Sequence, residues 1–219
     1  GWPGIAEAAM DPALADARSE EVLCELFGAR LTRRHLTCLR MGRWLNDEVV
    51  NAYFGLVQRN GPVRCWCPHS SFWPCLDSRG PSGVARWPRR AGVRVQELDA
   101  VLLPLHVGGD HWALGVLDFR ERAVRYFDSL ARRPPRSLLS RLNEFLRSQC
   151  PTVAAKPWPL AAGGAATAPR QRTSSDCGVF ACTLARRYAK GAPLAFATGA
   201  AAVEGLRRHI AVALLRGRL

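Results

Sequence analysis

No stretch of the 219-residue chain holds the ~20 successive apolar residues that a membrane-spanning helix needs. Gly1-Trp2-Pro3 shows neither an initiator Met nor a signal-peptide pattern, so targeting stays open at this end. Neither an internal repeat nor a firm domain boundary is visible, which leaves one domain with appendages as the expectation. Acidic residues are scarce, 18 against 31 basic ones. The resulting charge of +13, carried mostly by Arg, serves solubility and suits an acidic protein partner. The densest basic stretch, Arg132, Arg133, Arg136, Arg141 and Arg147, has few aromatics between its charges. A base-stacking nucleic-acid surface is therefore poorly supported.

What is present points to a packed globule. About half the residues (48%) are hydrophobic, enough for a sizeable core. A chain of this length and apolar content does not need its eight cysteines as disulfides, so reduced thiols and an intracellular home are expected. Cys65, Cys67, His69 and Cys75 lack the C-x2-C spacing of a zinc site, and no second pair follows. No metal or cofactor is assigned.

Asp11 and Pro12 read as a helix start and Gly28 as its end. Residues 46–59 read as a second helix, capped by Asn46 or Asp47, with Val49, Val50, Tyr53, Leu56 and Val57 on one face. Residues 60–92, rich in Gly, Pro, Cys, Trp and Arg, read as irregular. Val101–Leu105, Trp112–Asp118 and Ala123–Phe127 read as strands. The last two are nearly all apolar, as central strands covered on both faces are. Ser137–Cys150, Gly178–Ala189 and Ala201–Leu215 read as helices. The 161–168 stretch is low-complexity and read as mobile. Helices, then strands, then helices make an α+β order.

The chemistry concentrates in Gln171-Arg-Thr-Ser-Ser-Asp-Cys177-Gly178-Val-Phe-Ala. A polar loop runs into an apolar helix with Cys177 at the junction, where the helix's free N–H groups and positive dipole end favour a thiolate. Such a thiol needs a histidine close in space. His35 and His209 sit among arginines, and His69 lies in the Cys-rich segment. His106 follows a strand. His111 has the best context, between a Gly-Gly-Asp loop and a long buried strand. Asp128 ends the neighbouring strand, where a carboxylate can fix the imidazole tautomer. A histidine at a strand start or a cysteine at a helix start is, alone, more often a packing residue; the joint arrangement carries the reading.

These residues fall in a wider pattern. Gly109-Asp110-His111-Trp112-Ala113-Leu114, Tyr126-Phe127-Asp128-Ser129-Leu130 and Gln171 through Phe180 resemble the catalytic core of the SUMO-specific (Ulp/SENP) cysteine proteases. Trp44-Leu45-Asn46-Asp47 matches that family's WLND motif. Ser71-Phe72-Trp73, Val84-Ala85-Arg86-Trp87 and Leu103-Pro104-Leu105-His106 follow in the family's order. The resemblance runs from about residue 20 to the C-terminus, so 1–19 read as a loosely ordered extension and 20–219 as the protease domain. It implies an α+β fold of the papain-like superfamily, with a central mixed sheet flanked by helices. The chain order His, Asp, Cys disfavours papain-like enzymes themselves, which run Cys, His, Asn.

By the same resemblance Cys177 is the nucleophile, His111 the base and then acid, and Asp128 its orienter. Gln171 is the oxyanion donor beside the Cys177 N–H. Trp44 and Trp112 resemble the pair that roofs a tunnel for a Gly-Gly tail, whose lack of Cβ atoms lets it pass between flat walls. Core packing is the plainer account of either Trp. Asp47 matches a position that pairs with an Arg on SUMO, and helix capping is its plainer account. The implied activity is deSUMOylation by a monomeric thiol protease, a hydrolase acting after Gly-Gly through a thioester, in the nucleus. Two departures stand out: Thr173 where many members have Asn, and an Ala/Gly stretch at 161–168 in place of a polar insert. The rival readings are a ubiquitin- or NEDD8-directed enzyme, an acetyltransferase with a His-acid-Cys triad, and a non-catalytic SUMO or nucleic-acid binder.

Overall fold

The computed structural model describes residues 1–161 and 168–219, so most of the low-complexity stretch, 162–167, lies outside the described residues. Helices α1 (Trp2–Ala9) and α2 (Pro12–Ala17) open the chain. Asp11 caps α2, its carboxylate accepting from Ala13 N at 2.9 Å. The helix stops at Ala17 instead of running to Gly28. A hairpin follows, β1 (Val22–Leu26) paired with β2 (Ala29–Thr32). Phe27 (φ 52°) and Gly28 (φ 80°) both adopt left-handed backbone. A right-handed helix excludes that conformation and a two-residue hairpin turn requires it. Buried Arg33, in α3 (Arg33–Leu36), donates to Ala8 O at 2.5 Å and to Glu21 Oε2 at 2.7 Å, fastening α1 to the hairpin.

Helix α4 (Asp47–Asn60) forms where expected. Asn46 is its cap, the side-chain oxygen accepting from Val49 N at 2.9 Å. Residues 60–92 are more ordered than their composition implies. They hold β3 (Cys65–Trp66), α5 (Phe72–Val84) and α6 (Trp87–Arg90). Helix α5 is broken at Gly80 (φ 66°) with Pro81 following, so each half is too short to display a helical period in the sequence. Its residues Phe72, Trp73, Leu76 and Val84 are nevertheless buried.

The sheet comprises β3, β4 (Ala100–Val107), β5 (His111–Asp118) and β6 (Ala123–Phe127), in that order. The β3–β4 pair is parallel and the others antiparallel, which makes the sheet mixed. Strand β5 is central, as its apolar run predicts. Strand β6 is not; it ends the hydrogen-bonded order, with one bridge from Val124 to Leu160 beyond it. Apolar content reports that a strand's faces are covered, not that its edges are.

Helices α7 (Leu138–Gln149), α8 (Cys177–Ala189) and α9 (Ala200–Arg216) complete the chain. One face of the sheet, with Leu102, Leu114, Val116 and Phe127, packs under α4, α8 and α9. The other, with Val101, Leu103, Leu117 and Tyr126, packs under α5 and α7. This is the α+β architecture anticipated, a mixed sheet flanked by helices. Helix α8 is buried from Cys177 through Ala185, so its first residue is held from all sides. Among the described residues no helix is long and apolar enough to cross a membrane.

Candidate active site

Gly108 and Gly109 (φ 67° and 84°) turn the chain tightly from β4 into β5, which places His111 at the strand's first position. Asp128 follows the last residue of β6. Both side chains are buried, and His111 Nε2 lies 2.9 Å from Asp128 Oδ2. The distance is that of an ion pair, although the ring N–H does not point along the line to the carboxylate. Asp128 also accepts from Tyr126 Oη at 2.9 Å and from Leu130 N at 2.7 Å. Burial raises the Asp128 pKa, but the His111 contact and these two donors outweigh it and hold the carboxyl below its ordinary value.

Cys177 begins α8, nearly inaccessible at 1% exposure, and lies close enough to His111 to act on its charge. Burial alone would depress the imidazole pKa. The interactions with Asp128 and Cys177 prevail and push His111 up to about 9. Burial pushes Cys24 and Cys38 up to about 11, and Cys182 higher still. They remain protonated packing groups.

Gln171 is buried and held at both ends of its amide. Its oxygen accepts from Ser129 Oγ at 2.5 Å, and its Nε2 donates to Thr173 O at 2.6 Å. Its backbone N–H donates to Ser129 O at 3.1 Å, so the loop before Cys177 is stitched to the residue after Asp128. Gly178 is glycine for a packing reason. A Cβ there would lie 2.8 Å from Leu45 Cβ, so only glycine lets the segment carrying Trp44 approach the start of α8.

The two tryptophans named from the sequence are tied across this approach. Trp44, 55% exposed, donates its indole N–H to Ser174 O at 3.0 Å. Trp112, buried, donates to Leu45 O at 2.9 Å and packs on His106, ring centroids 4.6 Å apart. Core packing accounts for Trp112 in part; it does not account for Trp44. Asp47 is exposed in the first turn of α4, and because Asn46 does the capping, its carboxylate is spared that role. It borders a groove of about 1060 Å³ between α4, the β1–β2 turn and α6. The structure thus pairs His111 with Asp128 and sets Cys177 within electrostatic reach, ties Gln171 to the residue after Asp128, ties Trp44 to Ser174 and Trp112 to Leu45, and leaves Asp47 on the rim of the groove.

Sequence reasoning missed the residues behind these. Ser129 and Tyr126 were quoted only as motif letters. Arg207 was not singled out at all, yet it is almost completely buried and pairs with Asp176, the residue before Cys177, at 2.6 Å. A signal existed: Arg207 falls on the apolar face of α9 with Val203, Ile210 and Leu214, where a charge needs a partner. Thr173, the departure noted above, donates its hydroxyl to Asp176 Oδ2 at 2.5 Å, so this loop keeps an internal tie.

Residues 43–216 match the Ulp1 protease family, C-terminal catalytic domain. Sentrin-specific protease 2 of Homo sapiens is 32% identical over 193 residues, 84% of this chain and 32% of that protein. Ubiquitin-like-specific protease 1 of Saccharomyces cerevisiae is 28% identical over 169 residues, 76% of this chain and 27% of that protein. The chain thus spans about a third of the length of the curated relatives it matches. Among solved structures, the yeast Ulp1 protease domain in complex with Smt3, the yeast ortholog of SUMO, superposes with a TM-score of 0.86. It is 25% identical, over 98% of this chain and 94% of that one. The Chaetomium thermophilum Ulp1-like SUMO protease catalytic domain gives a TM-score of 0.85 at 30% identity, over 99% and 89% of the two chains.

Proposed function

The chain belongs to the Ulp1 protease family, and from that premise we propose that it is a thiol protease cutting after the C-terminal Gly-Gly of SUMO. It acts on peptide bonds in precursors and isopeptide bonds in conjugates. The observation that carries the reading is the grouping of Cys177, His111 and Asp128, with an exposed Trp44 bonded to Ser174 of the loop before Cys177, in a fold like that of the yeast enzyme bound to Smt3.

In the proposed reaction the Cys177 sulfur attacks the terminal glycine carbonyl while His111 holds the thiol proton. The tetrahedral oxyanion is met by the Cys177 N–H and by the second N–H of the Gln171 amide, the first being used by Thr173 O. Ser129 keeps the amide from flipping by occupying its oxygen. His111 then gives its proton to the departing lysine amine, which leaves a thioester on Cys177. Water attacks the thioester, His111 takes the water's proton, and the thiol and the free Gly-Gly carboxylate are released. Asp128 stabilises the imidazolium during both halves. Trp44 and Trp112 wall the path of the tail, where any Cβ would be crowded. Asp47, exposed and relieved of capping, is positioned for an Arg of the modifier. The +13 charge suits an acidic modifier, and the same reading places the enzyme in the nucleus, which microscopy of a tagged chain would test.

C-terminal electrophile probes built on SUMO, ubiquitin and NEDD8 decide the matter beside a Cys177→Ala control. The expected outcome is a covalent adduct with the SUMO probe that vanishes in the variant. Labelling by ubiquitin or NEDD8 alone would keep the chemistry and replace the modifier. No adduct with any probe would end the protease reading.

A further inference from the structure

We propose that Arg207 is a positioning residue of the cleft, setting the spacing between the wall that carries Trp44 and the loop that carries Gln171 and Cys177. The inference rests on the peptidase reading above for its kinetic consequences. Its geometric part stands alone.

The guanidinium is 1% exposed, and its hydrogen bonds divide between the two walls. Nη1 donates to Cys38 O at 3.2 Å and to Arg40 O at 2.8 Å. Nη2 donates to Arg43 O at 2.9 Å, to Ser175 O at 3.1 Å and to Asp176 Oδ1 at 2.6 Å. Nε adds a longer contact to the same carboxylate oxygen at 3.3 Å. The first three acceptors lead directly into Trp44. The others lead directly into Cys177. None of these acceptors belongs to the sheet or to α9 itself. A residue needed only to fill the apolar stripe of α9 would be a Leu, like Leu214 on the same face.

Two further bonds carry the setting outward. Across the same seam Trp44 Nε1 reaches Ser174 O, so the exposed indole is fixed relative to the loop that Arg207 holds from behind. Within the loop Asp176 Oδ2 accepts from Thr173 Oγ1, and Thr173 O accepts from Gln171 Nε2. A continuous chain, Arg207 to Asp176 to Thr173 to Gln171, thus joins a buried cation on the last helix to the amide offered to the oxyanion. Arg suits the post because its planar fork can serve both walls at once, and Lys cannot reproduce that fork.

The test compares wild type, Arg207→Lys and Thr173→Ala, the last as the milder break in the chain. Active sites are counted with the SUMO electrophile, so kcat and KM on a SUMO–coumarin substrate refer to competent protein only. For Arg207→Lys, kcat is expected to fall and KM to rise, together lowering kcat/KM about 10–100-fold per titrated site, as sub-ångström misplacement does. For Thr173→Ala, which leaves both walls clamped, kcat falls and KM stays. Per-site constants equal to wild type in both variants, with only the melting temperature or titratable fraction reduced, would make Arg207 a fold-stabilising residue and overturn the inference. Hydrogen exchange is read on the same samples and needs no activity. Faster exchange at 43–45 and 171–177 in Arg207→Lys, with β4 and β5 unchanged, is expected. Unchanged exchange there overturns the inference, whereas a wild type inert toward every Gly-Gly substrate overturns the peptidase reading instead.

Discussion

Two buried carboxylates flank Cys177, and they keep different company. Asp128 faces a histidine 2.9 Å away and takes two neutral donors, Tyr126 Oη and Leu130 N. Asp176 faces Arg207 at 2.6 Å and takes the Thr173 hydroxyl. The partner of Asp128 is an imidazole, a group built to take up and release a proton; the partner of Asp176 is a guanidinium, a fixed fork of donors. The first pair acts, through His111, on the thiol proposed as the nucleophile. The second contacts backbone carbonyls on two chain segments. Similar charges at similar depth thus divide into a pair fitted to move a proton and a pair fitted to hold a shape.

Exchanging each carboxylate for its amide breaks the comparison most severely. Asp128→Asn leaves the packing intact but offers His111 an amide and favours the wrong tautomer. A fall in kcat of ~10⁴-fold is expected, with little change in a urea melt run above pH 9, where the stability from the His111 proton is already gone. Asp176→Asn leaves the guanidinium of Arg207 buried without a counter-charge, and a stability loss of roughly 3–5 kcal/mol is expected in the same melt. The division of labour fails if Asp128→Asn unfolds the protein while retaining per-site activity, or if Asp176→Asn melts like wild type.

A smaller effect sharpens the comparison at the point where the two systems meet. Gln171 is held by Ser129, next to Asp128, and by Thr173, next in the chain from Asp176. Gln171→Ala removes the amide without touching either ion pair. Its expected cost is about 10²–10³ in kcat, with KM and stability near wild type. Retained kcat would remove Gln171 from the oxyanion role and leave the Cys177 N–H to serve there.

The contrast also explains what could be read from the sequence. Cys177, His111 and Asp128 announce themselves because each stands at an element boundary: a helix start, a strand start and a strand end. Residue type and spacing then suffice to bring them together. The long helices and the β5 run were legible for the same reason, since each carries an unbroken period. The hairpin at 22–32 was not, because its evidence is the left-handed pair Phe27-Gly28, and a glycine there also fits a helix end. Helix α5 was hidden by its own break at Gly80. Arg207 was overlooked for a different reason. Its acceptors are backbone carbonyls, which every residue has, so no motif marks them. Only the misfit of a charge in an apolar stripe hints at the clamp.

The gentlest probe of the proton-moving pair is pH. The interactions with Asp128 and Cys177 overcome burial and lift His111 from its ordinary 6.5 to about 9, so the folded protein binds a proton there that the unfolded chain releases earlier. Stability from this group is therefore complete below about 6.5 and is lost as pH rises through about 9. The imidazolium that supplies the leaving-group proton disappears over the same interval. The melting temperature is expected to decline across the interval from about 6.5 to about 9, and kcat/KM to show an alkaline limb near 9. In Asp128→Asn the weak remaining activity should lose its alkaline limb at lower pH, because the carboxylate is the leading support for the raised value. Neither Asp176 nor Arg207 is among the groups that act on His111, so Asp176→Asn should leave the limb where it is. A limb that moves in Asp176→Asn, or stays put in Asp128→Asn, would mean that the two pairs are not separate systems.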